Sequence, residues 1–378
     1  MTATGPALDL VALVRELVRR PTVSGDADAQ RDVLGTLTDV LRERAPHLQV
    51  TEGRDRDHPW TLLRTPADPG RRQLLLACHV DTVPATDPAA WQRDPFDGDL
   101  DGGRVWGRGG SDMKAGVVAA AAALAAADPG TPVALLLTSD EEIGSQGAAA
   151  AAAAVAELPV GAVVVPEATG NQVVLGHKGA LWLAVRTAGR AAHGSTPERG
   201  HNAVLDLAAL LARAGGVLPF RTHPFLGTET WNPGVVAGGT VPNVVPDRAE
   251  VVVDMRTVAD GGDLLAWWRA QPEVVDVEVR VDLPPVGTPA DDPWVTSLPA
   301  PVLPTPATYF TDASVLVQVV RGAPIVVWGP GTPAVMHAVD EYVELAEVEQ
   351  AAAAFTDVVT RWNGPPAGSR REPASGGG

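Results

Sequence analysis

The sequence predicts an α/β protein, a mostly parallel sheet sandwiched by helices, with a separate α+β unit inserted into it. Three observations carry this. Apolar strand-like runs alternate with helical patterns over residues 73–167, the mark of a parallel sheet covered on both faces. In the runs 180–187 and 274–281 the apolar residues recur at every second position, as in half-buried strands. Beyond residue 312 the first pattern returns.

The elements follow in order. Residues 7–20 carry apolar side chains at helical spacing and stop at Pro21, and residues 29–44 read as a second helix. QLLLACHVD (73–81) is a buried strand. SDMKAGVVAAAAALAAAD (111–128) is a helix with Ser111 or Asp112 near its start. PVALLLTSD (132–140) and GAVVVPE (161–167) are further strands, separated by an Ala-rich helix at 145–157. The inserted unit runs strand 180–187, helix 202–213, strand 234–239, strand 249–257, helix 261–271, strand 274–281. That order is ferredoxin-like. Lys178-Gly179 and the Pro-rich run 284–306 mark its ends. Helix 312–320, strand 324–329 and helix 343–361 complete the first domain. The expected division is therefore 1–178 and 286–363 for the main domain and 179–285 for the insert. The Pro/Gly/Ser-rich stretch 364–378 reads as a disordered tail.

Composition narrows the function. A chain of 378 residues is long for one core and favours two domains. Its formal charge of −17 repels phosphate backbones and anionic bilayers, so neither nucleic acid nor membrane is an expected partner. No run of apolar residues is long enough to span a bilayer. Residues 1–9 lack the basic-then-apolar pattern of a signal peptide. Cys78 is the only cysteine, which excludes an internal disulfide and agrees with a reducing, cytoplasmic setting.

The polar residues collect where the strands end. In an open parallel sheet, ligands bind beyond the carboxyl ends of the strands. His79 and Asp81 end the first strand of the alternation, Asp140, Glu141 and Glu142 the second, and Glu167 the third. Asp112 enters a helix from a glycine-rich loop, and His337 follows the strand at 324–329. Singly, each has an ordinary reading: Asp112 a helix cap, the Glu pair a solvated turn, His337 an exposed loop residue. Together they would repel one another on one rim unless a cation sat among them. Imidazole and carboxylate donors suit zinc.

Six segments, CHVDTVP, PFDGDLDGGRVWGRGGSDMKAG, TSDEEIGSQGA, PEATGNQVVLGHKG, AAHGSTPERGHNA and GPGTPAVMHAVDE, resemble in order and spacing the motifs of the co-catalytic zinc deacylases and carboxypeptidases. That family includes acetylornithine deacetylase, succinyl-diaminopimelate desuccinylase, aminoacylase and glutamate carboxypeptidase. The resemblance covers about residues 10–360 and implies two zinc ions per subunit, with cobalt or manganese able to substitute. It implies that Asp112 bridges the two ions, that His79 and Glu167 complete one site, and that Glu142 and His337 complete the other. It makes Glu141 the general acid/base and Asp81 the carboxylate that orients His79. It also implies a homodimer through the insert, with His193 reaching the partner subunit's site to stabilise an oxyanion. Lys178, Asn243 and Arg256 would grip a substrate carboxylate, and Thr311 would line the site beside Asp312.

Phe310 departs from the resemblance, standing where those enzymes carry glycine, and Ala338 and Val339 after His337 stand where they often carry polar residues. His47, His58, His177, His201 and His223 are read as non-catalytic, and Cys78 as a buried strand residue. The leading expectation is an amidohydrolase acting on a small N-acyl amino acid, acetylornithine deacetylase-like by its PEATGN and HKG segments. A carboxypeptidase or dipeptidase with the same metal site is the alternative, and a non-catalytic zinc or amino acid binding protein a third reading.

Overall fold

A computed structural model describes residues 8–53 and 57–364. The expected tail lies outside the described residues apart from its first position. The chain forms two compact units, the first built on Met1–Gly176, Gly287–Thr305 and Thr311–Gly378, the second on His177–Val286 and Pro306–Phe310.

The first unit is organised by a six-stranded sheet. Three of its inner strands are Val133–Thr138, Gln73–His79 and Val160–Val165, each buried along its whole length. They are parallel to one another, and Ile325–Val327 joins them in the same sense. Strands buried on both faces need continuous apolar runs, and LLLACH and VALLLT supply them. Two short strands, Gln49–Glu52 and Thr61–Arg64, add antiparallel at the other edge. At four residues each, they are too brief to stand out from the sequence. The sheet is therefore mainly parallel, with an antiparallel margin.

Helices cover it. Leu10–Val18 is capped by Asp9, whose side chain accepts the Ala12 N–H, and it buries Leu13, Val14, Leu17 and Val18. Asp26 caps Ala27–Arg44 in the same way, accepting from Ala29. The Ala-rich helix Ala115–Ala125 is buried nearly all round and packs against Leu345–Arg361. Small side chains permit that, and glycine permits the closest approach. A Cβ at Gly116 would lie 1.9 Å from the Pro166 carbonyl oxygen, and one at Gly329 would lie 2.3 Å from it. The backbone just before Glu167 is thus gripped from two sides.

The helix begins later than the sequence predicts. Ser111 and Asp112 lie instead in a wide turn, Gly110–Lys114, and Asp112 has non-helical φ −117° and ψ 99°. Asp112 is not a cap: its carboxylate is turned to other partners. A small sheet of Tyr342–Glu344, Arg104–Trp106 and Asp99–Asp101 ties this turn to the loop that carries His337.

The second unit contains an antiparallel sheet in the order Thr230–Gly238, Arg248–Thr257, Gly179–Ala188, Val274–Leu283. Strand Arg248–Thr257 alternates exposed or half-buried with buried positions throughout. Its buried face joins Leu181, Leu183 and Val185 in a core with Leu207 and Leu210 of helix Ala203–Val217 and Trp268 of helix Gly262–Arg269. The opposite face is polar, with Arg186 bonded to Glu250, Asp276 and Glu278. No helix among the described residues is long and apolar enough to cross a membrane.

Candidate metal centre

The parallel strands deliver their polar residues to one rim of the first unit. His79 is the last residue of Gln73–His79, paired in register with Thr138. Its backbone N–H donates to the sulfur of Met113 at 3.3 Å, joining the strand end to the Asp112 turn. Glu141 and Glu142 follow Val133–Thr138, and Glu167 follows Val160–Val165.

Two ligand groups form there, and they share one residue. His79, Asp112 and Glu167 bring donor atoms within 4.8 Å of one another, and so do Asp112, Glu142 and His337. His79 Nε2 lies 3.2 Å from Asp112 Oδ1 and 3.4 Å from Glu167 Oε1. His337 Nε2 lies 3.1 Å from Asp112 Oδ2 and 3.0 Å from Glu142 Oε1. Asp112 therefore offers one oxygen to each group.

Asp81 organises the rim from behind. The His79 Nδ1 sits 3.1 Å from the Asp81 carbonyl oxygen and 3.3 Å from its Oδ1. Both are acceptors, so Nδ1 carries the proton and Nε2 is left to face the site. The same carboxylate accepts the backbone N–H groups of Glu141 and Glu142, at 3.0 and 3.3 Å, and the Ser24 hydroxyl at 2.8 Å. Asp140, in a left-handed conformation, is pinned by Gly25 N–H, Gln30 Nε2 and His58 Nδ1, each at 2.8 Å.

Electrostatics show the strain of gathering these groups. Burial pushes Glu141 well above the usual carboxylate range, with Glu142 adding to the effect against the pull of His79. Burial and then Asp112 push Glu167 up to about 8. Burial opposes charge on His79, but Glu167, Asp112 and Asp81 outweigh it and hold its pKa well above the ordinary value. Bonds to Asp112 and Glu142 raise His337 to about 10. Burial would raise Asp112, yet its bonds to His337 and His79 pull it far down. Glu141 Oε1 and Glu167 Oε2 are buried without a hydrogen-bond partner among the described residues. Such atoms are costly to leave unsatisfied. Carboxylate and imidazole donors in two groups joined by one carboxylate fit a pair of divalent cations.

Other expected residues fall as follows. Thr311 is buried, and its hydroxyl accepts the Ala313 N–H at 3.1 Å. Asp312 beside it is buried, accepts the Thr138 hydroxyl at 2.5 Å, and is pushed up to about 6 by burial. Cys78 is buried and its thiol raised by burial. Lys178, His193, Asn243 and Arg256 belong to the second unit. There the Gly194 N–H donates to the Asn243 carbonyl at 2.7 Å, bringing His193 and Asn243 together on an exposed edge. Ser195 N–H donates to His193 Nδ1 at 3.1 Å, which leaves the proton on Nε2. Lys178 Nζ donates to the Thr228 carbonyl. Arg256 pairs with Asp254 at 2.9 Å, and its guanidinium lies 5.4 Å from the centre of the Phe310 ring.

Sequence reasoning gave no role to Arg108 and Glu341, which form a buried pair behind Asp112. Both stand inside the quoted segments, but partners 233 positions apart leave no local signal.

Two ligand groups bridged by a carboxylate, at the carboxyl rim of a parallel sheet, define a metal-dependent hydrolase. The particular family follows from comparison: residues 75–361 match the model of peptidase family M20/M25/M40, and the chain belongs to that family. Its members hydrolyse amide bonds. A succinyl-diaminopimelate desuccinylase of Maricaulis maris is 30% identical, aligned over 92% of this chain and 94% of its own length. One of Cereibacter sphaeroides is 28% identical over 93% and 98%. Among solved structures, an M20 family metallo-carboxypeptidase of Sulfolobus solfataricus shares the fold with a TM-score of 0.78, at 17% identity over 94% of this chain and 99% of its own. A dinuclear metal-binding peptidase of Bacillus subtilis matches with a TM-score of 0.63 at 13% identity, over 93% and 96%.

Proposed function

We propose that this chain is a two-zinc amidohydrolase that removes the acyl group from a small N-acyl amino acid. The observation that carries the reading is Asp112, one oxygen in each of two ligand groups, with the unpartnered buried Glu141 Oε1 on the same rim. His79 and Glu167 would hold one ion, Glu142 and His337 the other, and Asp112 both. Zinc ions there would polarise the scissile carbonyl and acidify water. Glu141 takes the proton of the attacking water and returns it to the departing amine nitrogen. Burial raises its pKa, which favours its taking the proton from water. Asp81 holds His79 in its ligating tautomer and holds Glu141 and Glu142 by their backbone.

Arg256, Lys178 and Asn243 would grip the substrate carboxylate, and Thr311 would line the site. Strand Thr230–Gly238 is a sheet edge exposed at every position but Trp231, with Val235 and Val236 outward. An open apolar edge of this kind favours pairing with a second chain, which supports a homodimer in which His193 donates to the oxyanion of the partner's site. The desuccinylase names of relatives similar over nearly their full length support acyl removal, and N-succinyl amino acids join N-acetyl ones as first candidates.

The test is amine release from a panel of N-acyl amino acids and dipeptides by the metal-loaded chain. Release from acyl amino acids, abolished by a chelator and restored by zinc, is expected. Release from dipeptides alone would replace the deacylase reading with a peptidase one.

A further inference from the structure

A buried ion pair stands behind the second ligand group. Glu341 is 0% exposed and Arg108 is 1% exposed. Arg108 Nη1 donates to Glu341 Oε2 at 2.5 Å. The other oxygen, Oε1, accepts two consecutive backbone N–H groups, from Ser111 at 2.9 Å and Asp112 at 3.0 Å. Arg108 Nη2 donates to the His337 carbonyl at 3.3 Å. The pair thus grips the backbone of two ligands, one through each partner. Its own position is fixed in turn: Gly107 N–H donates to the Glu341 carbonyl at 2.8 Å, the Ser111 hydroxyl to the Tyr342 carbonyl at 3.0 Å, and the guanidinium lies 5.1 Å from the centre of the Trp91 ring.

Removing two charges from water is costly, and an apolar pair of similar volume often serves stability as well. The reach of this pair to Asp112 and His337 points to a different use. Neither ligand is held by regular structure. Asp112 lies in a non-helical turn, and His337 is exposed with a φ of +62°. In contrast, His79 and Glu167 stand at or just beyond the ends of buried strands, which hold them without help from Arg108 or Glu341.

We propose that Arg108 and Glu341 are positioning residues for the Asp112–Glu142–His337 group and set its affinity for the second cation. The inference rests on the metal reading above. It predicts an asymmetric defect, because loss of the pair loosens one group more than the other.

The test is titration of the metal-stripped full-length chain with Zn²⁺ alone, followed calorimetrically, in the parent and in Glu341→Gln, Arg108→Met and Arg108→Lys. The parent is expected to bind two ions. Glu341→Gln and Arg108→Met should keep the tighter ion and bind the other roughly 10- to 100-fold more weakly. Arg108→Lys keeps the charge and should recover part of that loss. Glu229→Gln is the control, a buried carboxylate of the second unit that accepts the Arg221 and Val258 N–H groups; it should leave both affinities unchanged. Parental affinity for both ions in folded Glu341→Gln would overturn the proposal, as would an equal defect in the Glu229 control. Should Glu341→Gln not fold, a parental second affinity in Arg108→Met overturns it instead. A parent that binds no second ion would refute the metal reading itself, a separate outcome.

Discussion

Asp81 receives the Glu141 backbone N–H at 3.0 Å, on the same oxygen that lies 3.3 Å from the Nδ1 of His79. One carboxylate therefore sets both the orientation of a ligand and the place of the proton-transfer residue. Asp81→Asn replaces one acceptor oxygen by a donor amide, so one of its N–H contacts becomes a clash of donors. Turnover or metal affinity should fall roughly 10- to 100-fold. Metal titration and amine release on the folded variant check this, and parental values in both would remove Asp81 from the mechanism.

Glu141 and Glu142 are neighbours with different surroundings. Glu142 Oε1 meets His337 at 3.0 Å, whereas Glu141 Oε1 is buried without a partner among the described residues. Glu141→Gln should retain two ions and lose roughly a hundred- to ten-thousand-fold in turnover. Glu142→Ala should instead lose the second ion. Elemental analysis of both variants, beside their rates, separates the roles; a Glu141 variant that turns over like the parent would sink the assignment.

Much of this was legible before the fold was known. Runs such as LLLACH and VALLLT must be buried, and the polar residues that end them must meet on one rim, because parallel strands end on one side. The β-rich run 249–257 similarly reads as a strand. Three features were not legible. The antiparallel strands Gln49–Glu52 and Thr61–Arg64 are too short to show periodicity. Asp112 sits before good helix formers, and the tertiary contacts that hold that stretch, among them Glu341 on its N–H, leave no local signal. Arg108 and Glu341 are far apart in sequence, and each alone reads as an ordinary surface charge.

Gly116 carries a packing prediction. An alanine Cβ there would press on the Pro166 carbonyl at 1.9 Å, and backbone cannot yield as a flexible side chain can. Gly116→Ala should destabilise the fold by about 1–3 kcal/mol, read as a lower urea midpoint at unchanged slope. An unchanged midpoint would mean that the helix shifts freely beside Glu167.

His177 carries a pH prediction. Its pKa is pushed down to about 4, chiefly by burial and further by Arg256, whereas in the unfolded chain it titrates at about 6.5. Between these values the unfolded chain binds a proton that the folded chain refuses. Its contribution is therefore unfavourable to folding as pH falls from about 6.5 to about 4, by about 3 kcal/mol in all, and levels off below. Urea midpoints of metal-stripped parent and His177→Gln, measured from pH 7.5 to 4.5, should show the steeper acid loss in the parent. Parallel curves would contradict the buried neutral imidazole.

The most direct measurement is the number of cobalt or zinc ions bound per folded chain, by elemental analysis after equilibrium dialysis, in the parent and in Asp112→Ala. Two ions in the parent, with both weakened by loss of the shared carboxylate, are predicted. A parent that hydrolyses its substrate with a single bound ion, or an Asp112→Ala chain that still holds two as tightly, would contradict the two-metal site.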